Sequence, residues 1–216
     1  MEYHHYRTGE FLGRIEEFGE PRSRQIHRAH LVEVLKSKVP DSYISTGKRL
    51  SKIEKDIEND CYILNFLGGT TTTVDIIVGC DGIKSVVRSH LGFTDLPLYS
   101  GQMVYRGYVA YSDLTPSTAS LLRRTVNFRG PRRHILTLPI GNEATGNDRV
   151  GIIGFMTEPL EGWKSESWLA TAPVDDLAAH CDDWCPEVQE IIEGLRKSAN
   201  EKGEILKQTL YVREPT

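Results

Sequence analysis

Residues 75–88 run Asp75-Ile76-Ile77-Val78-Gly79-Cys80-Asp81-Gly82-Ile83-Lys84-Ser85-Val86-Val87-Arg88, and no other stretch limits the fold as much. Three consecutive apolar β-branched residues predict a strand covered on both faces, as in a parallel α/β sheet. Asp81 then falls at the carboxyl end of that strand, where open α/β sheets bind ligands and a carboxylate can accept hydrogen bonds from sugar hydroxyls. Gly82 removes the β-carbon where a ligand chain would pass close to the backbone. Ser85 suits the N-cap of a following helix over Ser85–Leu91, which Gly92 stops. Arg88, one turn in, can fix the loop or pair with an anion.

The remaining chain divides by pattern. Residues 23–26 read as extended, and His27–Lys38 as a helix with Leu31, Val34 and Leu35 on one apolar stripe, closed by Pro40. Lys48–Asp56 and Cys61–Leu67 read as paired strands, and Thr70–Val74 as a third. Arg28 near the helix start is unfavourable against the helix dipole unless an anion lies close, and a pyrophosphate would serve as one. Beyond Pro97 the pattern changes to four longer strands, Gln102–Tyr111, Arg124–Arg129, Arg133–Pro139 and Arg149–Thr157. A short helix near Ser117–Arg123 interrupts them. Helices over Val174–Trp184 and Glu187–Ala199 and a strand over Glu204–Arg213 complete a mostly antiparallel region. The expected fold class is α/β plus α+β: a partial Rossmann-like α/β region over 1–97, and an antiparallel sheet with helices over 98–213.

Composition excludes several function classes. With 39% hydrophobic and 26% charged residues, the 216-residue chain falls in the globular range. Its net charge of −4 gives no reason to expect nucleic acid. No apolar run approaches the ~18 residues of a membrane span, and the start lacks the apolar core of a signal peptide, so a soluble cytoplasmic protein is expected. Cys61, Cys80, Cys181 and Cys185 match no zinc spacing and read as free thiols. His27 and His30 lack ligand partners at suitable spacing, so no metal site is expected. Arg123, Arg124, Arg129, Arg132 and Arg133 crowd one short window, which reads as a solvated sheet edge in preference to a substrate-attracting patch.

Val78-Gly79-Cys80-Asp81-Gly82-Ile83-Lys84-Ser85-Val86-Val87-Arg88 resembles the second fingerprint of FAD-dependent aromatic hydroxylases, the single-component flavoprotein monooxygenases that include salicylate hydroxylase. His27-Arg28-Ala29-His30-Leu31 is similar to that family's Arg-x-x-Leu segment. Tyr105-Arg106-Gly107-Tyr108 is similar to the strand that opens its substrate domain. Phe128-Arg129-Gly130-Pro131 and His134-Ile135-Leu136-Thr137-Leu138-Pro139 resemble the strand pair that follows. The resemblance implies that Asp81 and Gly82 contact FAD, with Ser85 and Arg88 beside them, that Arg28 approaches the FAD phosphates, and that Arg106 lies on the substrate side. It further implies that NAD(P)H and O2 are consumed to hydroxylate a small aromatic substrate through a C4a-hydroperoxyflavin. No catalytic side chain is assigned.

No G-x-G-x-x-G occurs in the sequence, and no Gly-Asp-Ala-type segment follows the last strand. Such a glycine loop holds the dinucleotide pyrophosphate at a helix N-terminus. The expectation is therefore an internal piece of a longer monooxygenase. The alternative is a non-catalytic remnant or interaction module without bound cofactor.

Overall fold

The computed structural model describes residues 1–15, 28–140, 148–161 and 169–213. The chain divides into two compact units, one of residues 1–28 and 99–210, the other of residues 29–98 and 211–216.

The larger unit is built on an eight-stranded sheet. Strands β1 (Glu2–His5) and β2 (Phe11–Arg14) form a hairpin at one edge. In the smaller unit, α1 (Arg28–Lys36) precedes β3 (Leu50–Asp56), β4 (Cys61–Phe66), β5 (Thr71–Val74) and the short helix α2 (Val86–His90). The chain continues through β6 (Leu98–Ala110), α3 (Pro116–Leu122), β7 (Val126–Gly130), β8 (Arg133–Ile140) and β9 (Arg149–Thr157). It ends with β10 (Thr171–Pro173), α4 (Val174–Ala179), α5 (Pro186–Ser198) and β11 (Glu204–Val212). The large sheet has the order β10-β11-β6-β9-β8-β7-β1-β2, and the smaller sheet β3-β4-β5. Pairing is antiparallel through β6–β9–β8–β7, while β1 lies parallel to β7.

Alternation along these strands buries one face. Met103, Tyr105, Val109, Phe128, Ile135, Ile152 and Met156 point to the same side, with Leu177 of α4 and Val188, Ile191, Ile192 and Leu195 of α5. Each of the large α5 side chains contributes about 1.5–3 kcal/mol by leaving water. Pro186 starts α5 at a position where its missing N–H costs nothing, and Thr115 caps α3 by accepting the Thr118 N–H.

Three sequence expectations fail. Residues 1–97 were expected to share one α/β region, but β1 and β2 join the large sheet, where Glu2 is buried between Arg14 (2.5 Å) and Arg124 (2.9 Å). Hydrogen bonding to Arg124, opposed by burial and reinforced by Arg14, holds the Glu2 carboxyl down at about 2. Secondly, Ile76-Ile77-Val78 forms no strand, and Ile76 and Val78 are 80% and 81% exposed. A parallel strand needs neighbours to complete its ladder, and the described residues offer none. Thirdly, the apolar stripe of α1 is not core: Leu31, Val34 and Leu35 are all exposed. Helical spacing identifies a face that favours burial, not whether anything covers it. The extended reading of 23–26 and His27 lie outside the described residues, whereas Val174–Trp184 is helical only as far as Ala179.

Candidate functional site

The loop joining β5 to α2 is organised by Asp81. Its carboxylate accepts the Ser85 hydroxyl at 2.5 Å and the backbone N–H groups of Val86 (2.7 Å) and Val87 (3.3 Å). Ser85 Oγ in turn accepts the Arg88 N–H at 2.9 Å, the N-cap expected from sequence. Burial raises the Asp81 pKa, but the bonds from Ser85, Val87 and Val86 outweigh it and hold the carboxyl below its ordinary value. Asp81 therefore stays ionised, exposed on its outer side, with lone-pair capacity beyond these three donors.

Two glycines shape this loop. A β-carbon at residue 79 would lie 2.7 Å from Val87 Cβ, so only glycine lets the chain pass α2 there. Gly82 has φ +79°, and a β-carbon on it would meet nothing within 4 Å. The second glycine answers to backbone conformation, and it leaves open space beside the main chain.

Arg88 faces inward. Its guanidinium donates from Nε (3.1 Å) and Nη2 (2.9 Å) to Asp95 and lies 4.2 Å from the Phe93 ring centroid. Arg213 approaches the same carboxylate at 2.7 Å and donates to the Ile83 carbonyl, at 3.1 Å from Nε. Hydrogen bonds from Arg213 and Arg88, against the cost of burial, keep Asp95 below the usual carboxylate range. Arg88 thus fixes the loop, and Arg213, which sequence reading missed, ties that loop to Asp95. Nothing near residue 213 signals this, because its partners lie more than a hundred residues earlier. Arg28 is the first residue of α1, exposed, with no carboxylate at ion-pair distance among the described residues.

In the larger unit, the sheet face opposite the helices carries a second set of groups. Register aligns Asn127, Leu136, Ile153 and Arg106 across β7, β8, β9 and β6, with Arg129, His134, Phe155 and Val104 in the next row. His134 stacks on Phe155, with centroids 4.4 Å apart and planes at 13°. Burial, aided by Arg129, depresses the His134 pKa, so its imidazole is neutral at pH 7. Asn127 is buried, and its carbonyl oxygen has no hydrogen-bond partner. Such an atom is costly unless something donates to it. The five arginines of residues 123–133 do not form one solvated edge: Arg123 pairs with Asp148 and Arg124 with Glu2, while Arg133 reaches Asp183 at 3.7 Å. No group of three or more metal-ligating side chains occurs among the described residues, nor any helix long and apolar enough to cross a membrane.

No family model matches the chain. Curated relatives do. The chain is 28% identical over 188 residues to a salicylate hydroxylase of Sarocladium schorii, covering 84% of the chain and 38% of the relative. It is 26% identical over 219 residues to a 6-hydroxynicotinate 3-monooxygenase of Pseudomonas fluorescens, covering 98% and 52%. A 3-amino-4-hydroxybenzoate 2-monooxygenase of Streptomyces platensis is 31% identical over 181 residues, covering 82% and 42%. The chain thus spans about half the length, or less, of these relatives. Among solved structures, a salicylate hydroxylase substrate complex superimposes with a TM-score of 0.77 at 22% identity, over 100% of this chain and 53% of that one. The Klebsiella pneumoniae HpxO complex with FAD and uric acid gives the same TM-score and identity, over 100% and 52%.

The fold is that of part of an FAD-dependent hydroxylase. Within that class the relatives are salicylate hydroxylase-like monooxygenases, as the Asp81–Arg88 segment led one to expect.

Proposed function

We propose that the chain is part of an FAD-dependent monooxygenase that uses NAD(P)H and O2 to hydroxylate a small aromatic substrate. The observation that carries this reading is the Asp81–Gly82 loop, an ionised carboxylate beside an open left-handed glycine, in a chain whose curated relatives are monooxygenases along most of its length. FAD would supply the redox and oxygen chemistry, and the protein supplies binding and electrostatics.

On this reading the unit of residues 29–98 contributes to FAD binding and the unit of residues 1–28 and 99–210 to the substrate region. Asp81 accepts hydrogen bonds from the cofactor's sugar-like hydroxyls through its outer lone pairs, and Gly82 lets the chain pass close. Ser85 and Arg88 hold Asp81 and its loop in position. Arg28 offsets the charge of the cofactor phosphates. The open sheet face roofs the substrate: Leu136, Ile153 and Phe155 supply apolar contact for a planar ring. Arg106 supplies a polar contact at one side, and the neutral His134 adds no charge to the surface. Such a roof excludes water from the reacting atoms.

The test is flavin binding. The purified protein is titrated with FAD and followed by quenching of flavin fluorescence, for the native chain and for Asp81→Asn. The Asn variant keeps an acceptor for Val86 and loses the charge, so α2 persists by circular dichroism. FAD affinity is expected to fall about tenfold, a difference of about 1.4 kcal/mol. A native protein that binds no FAD eliminates catalysis by this chain and favours the non-catalytic module. Equal affinity in both proteins removes Asp81 from the site.

A further inference from the structure

A cavity of about 480 Å³ opens in the larger unit, lined by Gly101, Arg132, Arg133, Thr157, Glu158 and His180 together with Pro131 and Pro159. Its size is within the range of small-molecule sites. It lies at the strand ends, and none of the groups given a role above, in flavin or substrate binding, lines it.

Arg132 is the unusual member. It follows Pro131 in the two-residue connection between β7 and β8, where Gly130 and Arg133 are the last paired residues. Its φ is +58°, one of two positive values on non-glycine residues among those described. A turn with Pro at its second position and positive φ at its third calls for Gly or Asn there. Arginine is strained in that conformation, and strain held in place by surroundings points to a use for the side chain. The turn is indeed held: Thr157 Oγ1 donates to the Arg132 carbonyl at 2.5 Å.

The charge around the cavity favours an anion. Glu158 lines it, but both carboxylate oxygens are engaged, one by Tyr105 Oη (2.7 Å) and His180 Nε2 (3.0 Å), the other by Lys207 Nζ (2.8 Å). Arg133 shares Asp183, at 3.7 Å, with Arg7. Arg132 has no carboxylate at ion-pair distance among the described residues. The lining therefore presents one guanidinium without a counter-charge, beside a second that shares its own. A planar guanidinium fork matches carboxylate or phosphate oxygens in a bidentate fashion.

We propose that this cavity binds a small organic oxyanion, a carboxylate or phosphate ester, through Arg132 with Arg133 beside it, at a site separate from the flavin loop and the open sheet face. The test uses the whole protein, titrated calorimetrically with inorganic phosphate and with benzoate, against chloride at equal ionic strength, alongside thermal melts. The expected result is saturable binding of one oxyanion and not of chloride. Phosphate alone assigns a phosphate ester, and benzoate alone a carboxylate. In Arg132→Gly the affinity for that oxyanion falls at least tenfold. Without anion, the variant's melting temperature does not drop, because glycine takes the positive φ without strain. Undiminished binding in Arg132→Gly, or no saturable binding of either oxyanion, overturns the proposal. A lower melting temperature without anion also overturns it, since the arginine then serves the fold. None of these readouts depends on FAD, so the flavin reading stands or falls separately.

Discussion

Replacing Glu158 by Gln tests how the end of β9 is tied to β6, to β11 and to the end of α4. The Glu158 carboxylate receives three donors, from Tyr105, His180 and Lys207, and its side chain is 14% exposed against 8% for Lys207. Burial pushes its pKa up, but His180, Lys207 and Tyr105 outweigh that and bring it down to about 2 from a starting value of 4.5. At 1.36 kcal/mol per pH unit, the difference is worth about 3 kcal/mol of stability at neutral pH. The folded pKa is depressed, so this contribution is complete above 4.5 and disappears as pH falls towards 2. By pH 3 about 2 kcal/mol of it has gone. In Glu158→Gln, Lys207 loses its charged partner at 2.8 Å while Asp176 stays at 3.7 Å, so about 3 kcal/mol is lost at pH 7, as for other broken buried pairs. Urea unfolding of both proteins at pH 7, 5 and 3 measures this. The gap between them should close from about 3 to about 1 kcal/mol across that range. Glu2, also near 2, acts equally in both proteins and cancels in the difference. A gap independent of pH would refute the reasoning, because Glu158 would then contribute by packing and not as a charge.

Other outcomes follow from single contacts. Arg213→Ala frees the Ile83 carbonyl and one side of Asp95, and should weaken FAD binding several-fold in a fluorescence titration while Tyr105-centred near-ultraviolet dichroism stays unchanged. Gly194→Ala places a methyl 2.4 Å from Cγ1 of the stiff, buried Val109; overpacking of about 1–3 kcal/mol exceeds the helix-propensity gain of about 1 kcal/mol, so the melting temperature should fall. Burial lifts the Cys181 and Cys185 thiols to about 12, whereas Cys80 is exposed, so alkylation at pH 8 read by mass spectrometry should mark Cys80 first and leave the other two unmodified in the folded protein.

Local pattern carried much of the fold. β9 was legible to the residue, because its run of apolar residues is read locally. The β3–β4 pair and the Ser85 cap were legible for the same reason. What failed needed knowledge of distant partners. Ile76–Val78 has strand composition, yet a strand exists only when another chain segment completes its hydrogen bonds. β1 has a mixed composition, Glu2-Tyr3-His4-His5, and becomes a strand because β7 and β2 flank it. The same division holds at the site. Asp81, Gly82 and Ser85 interact within six residues and could be read in order. Arg213 reaches back to Ile83, and the unpartnered oxygen of Asn127 depends on cross-strand neighbours that no spacing rule supplies.

The parallel pairing of β1 with β7 also sets a schedule. A ribosome releases Glu2–His5 long before Val126–Gly130 exists to dock beside it, and β6 waits for Glu204–Val212 in the same way. Until those late segments emerge, the hairpin that carries exposed Phe11 and Leu12 has an unsatisfied edge. Closing such distant pairs is slow, and the open edge meanwhile invites association between nascent chains. Yield in a heterologous host should therefore depend on translation speed and holdase chaperones more than on the stability of the finished sheet.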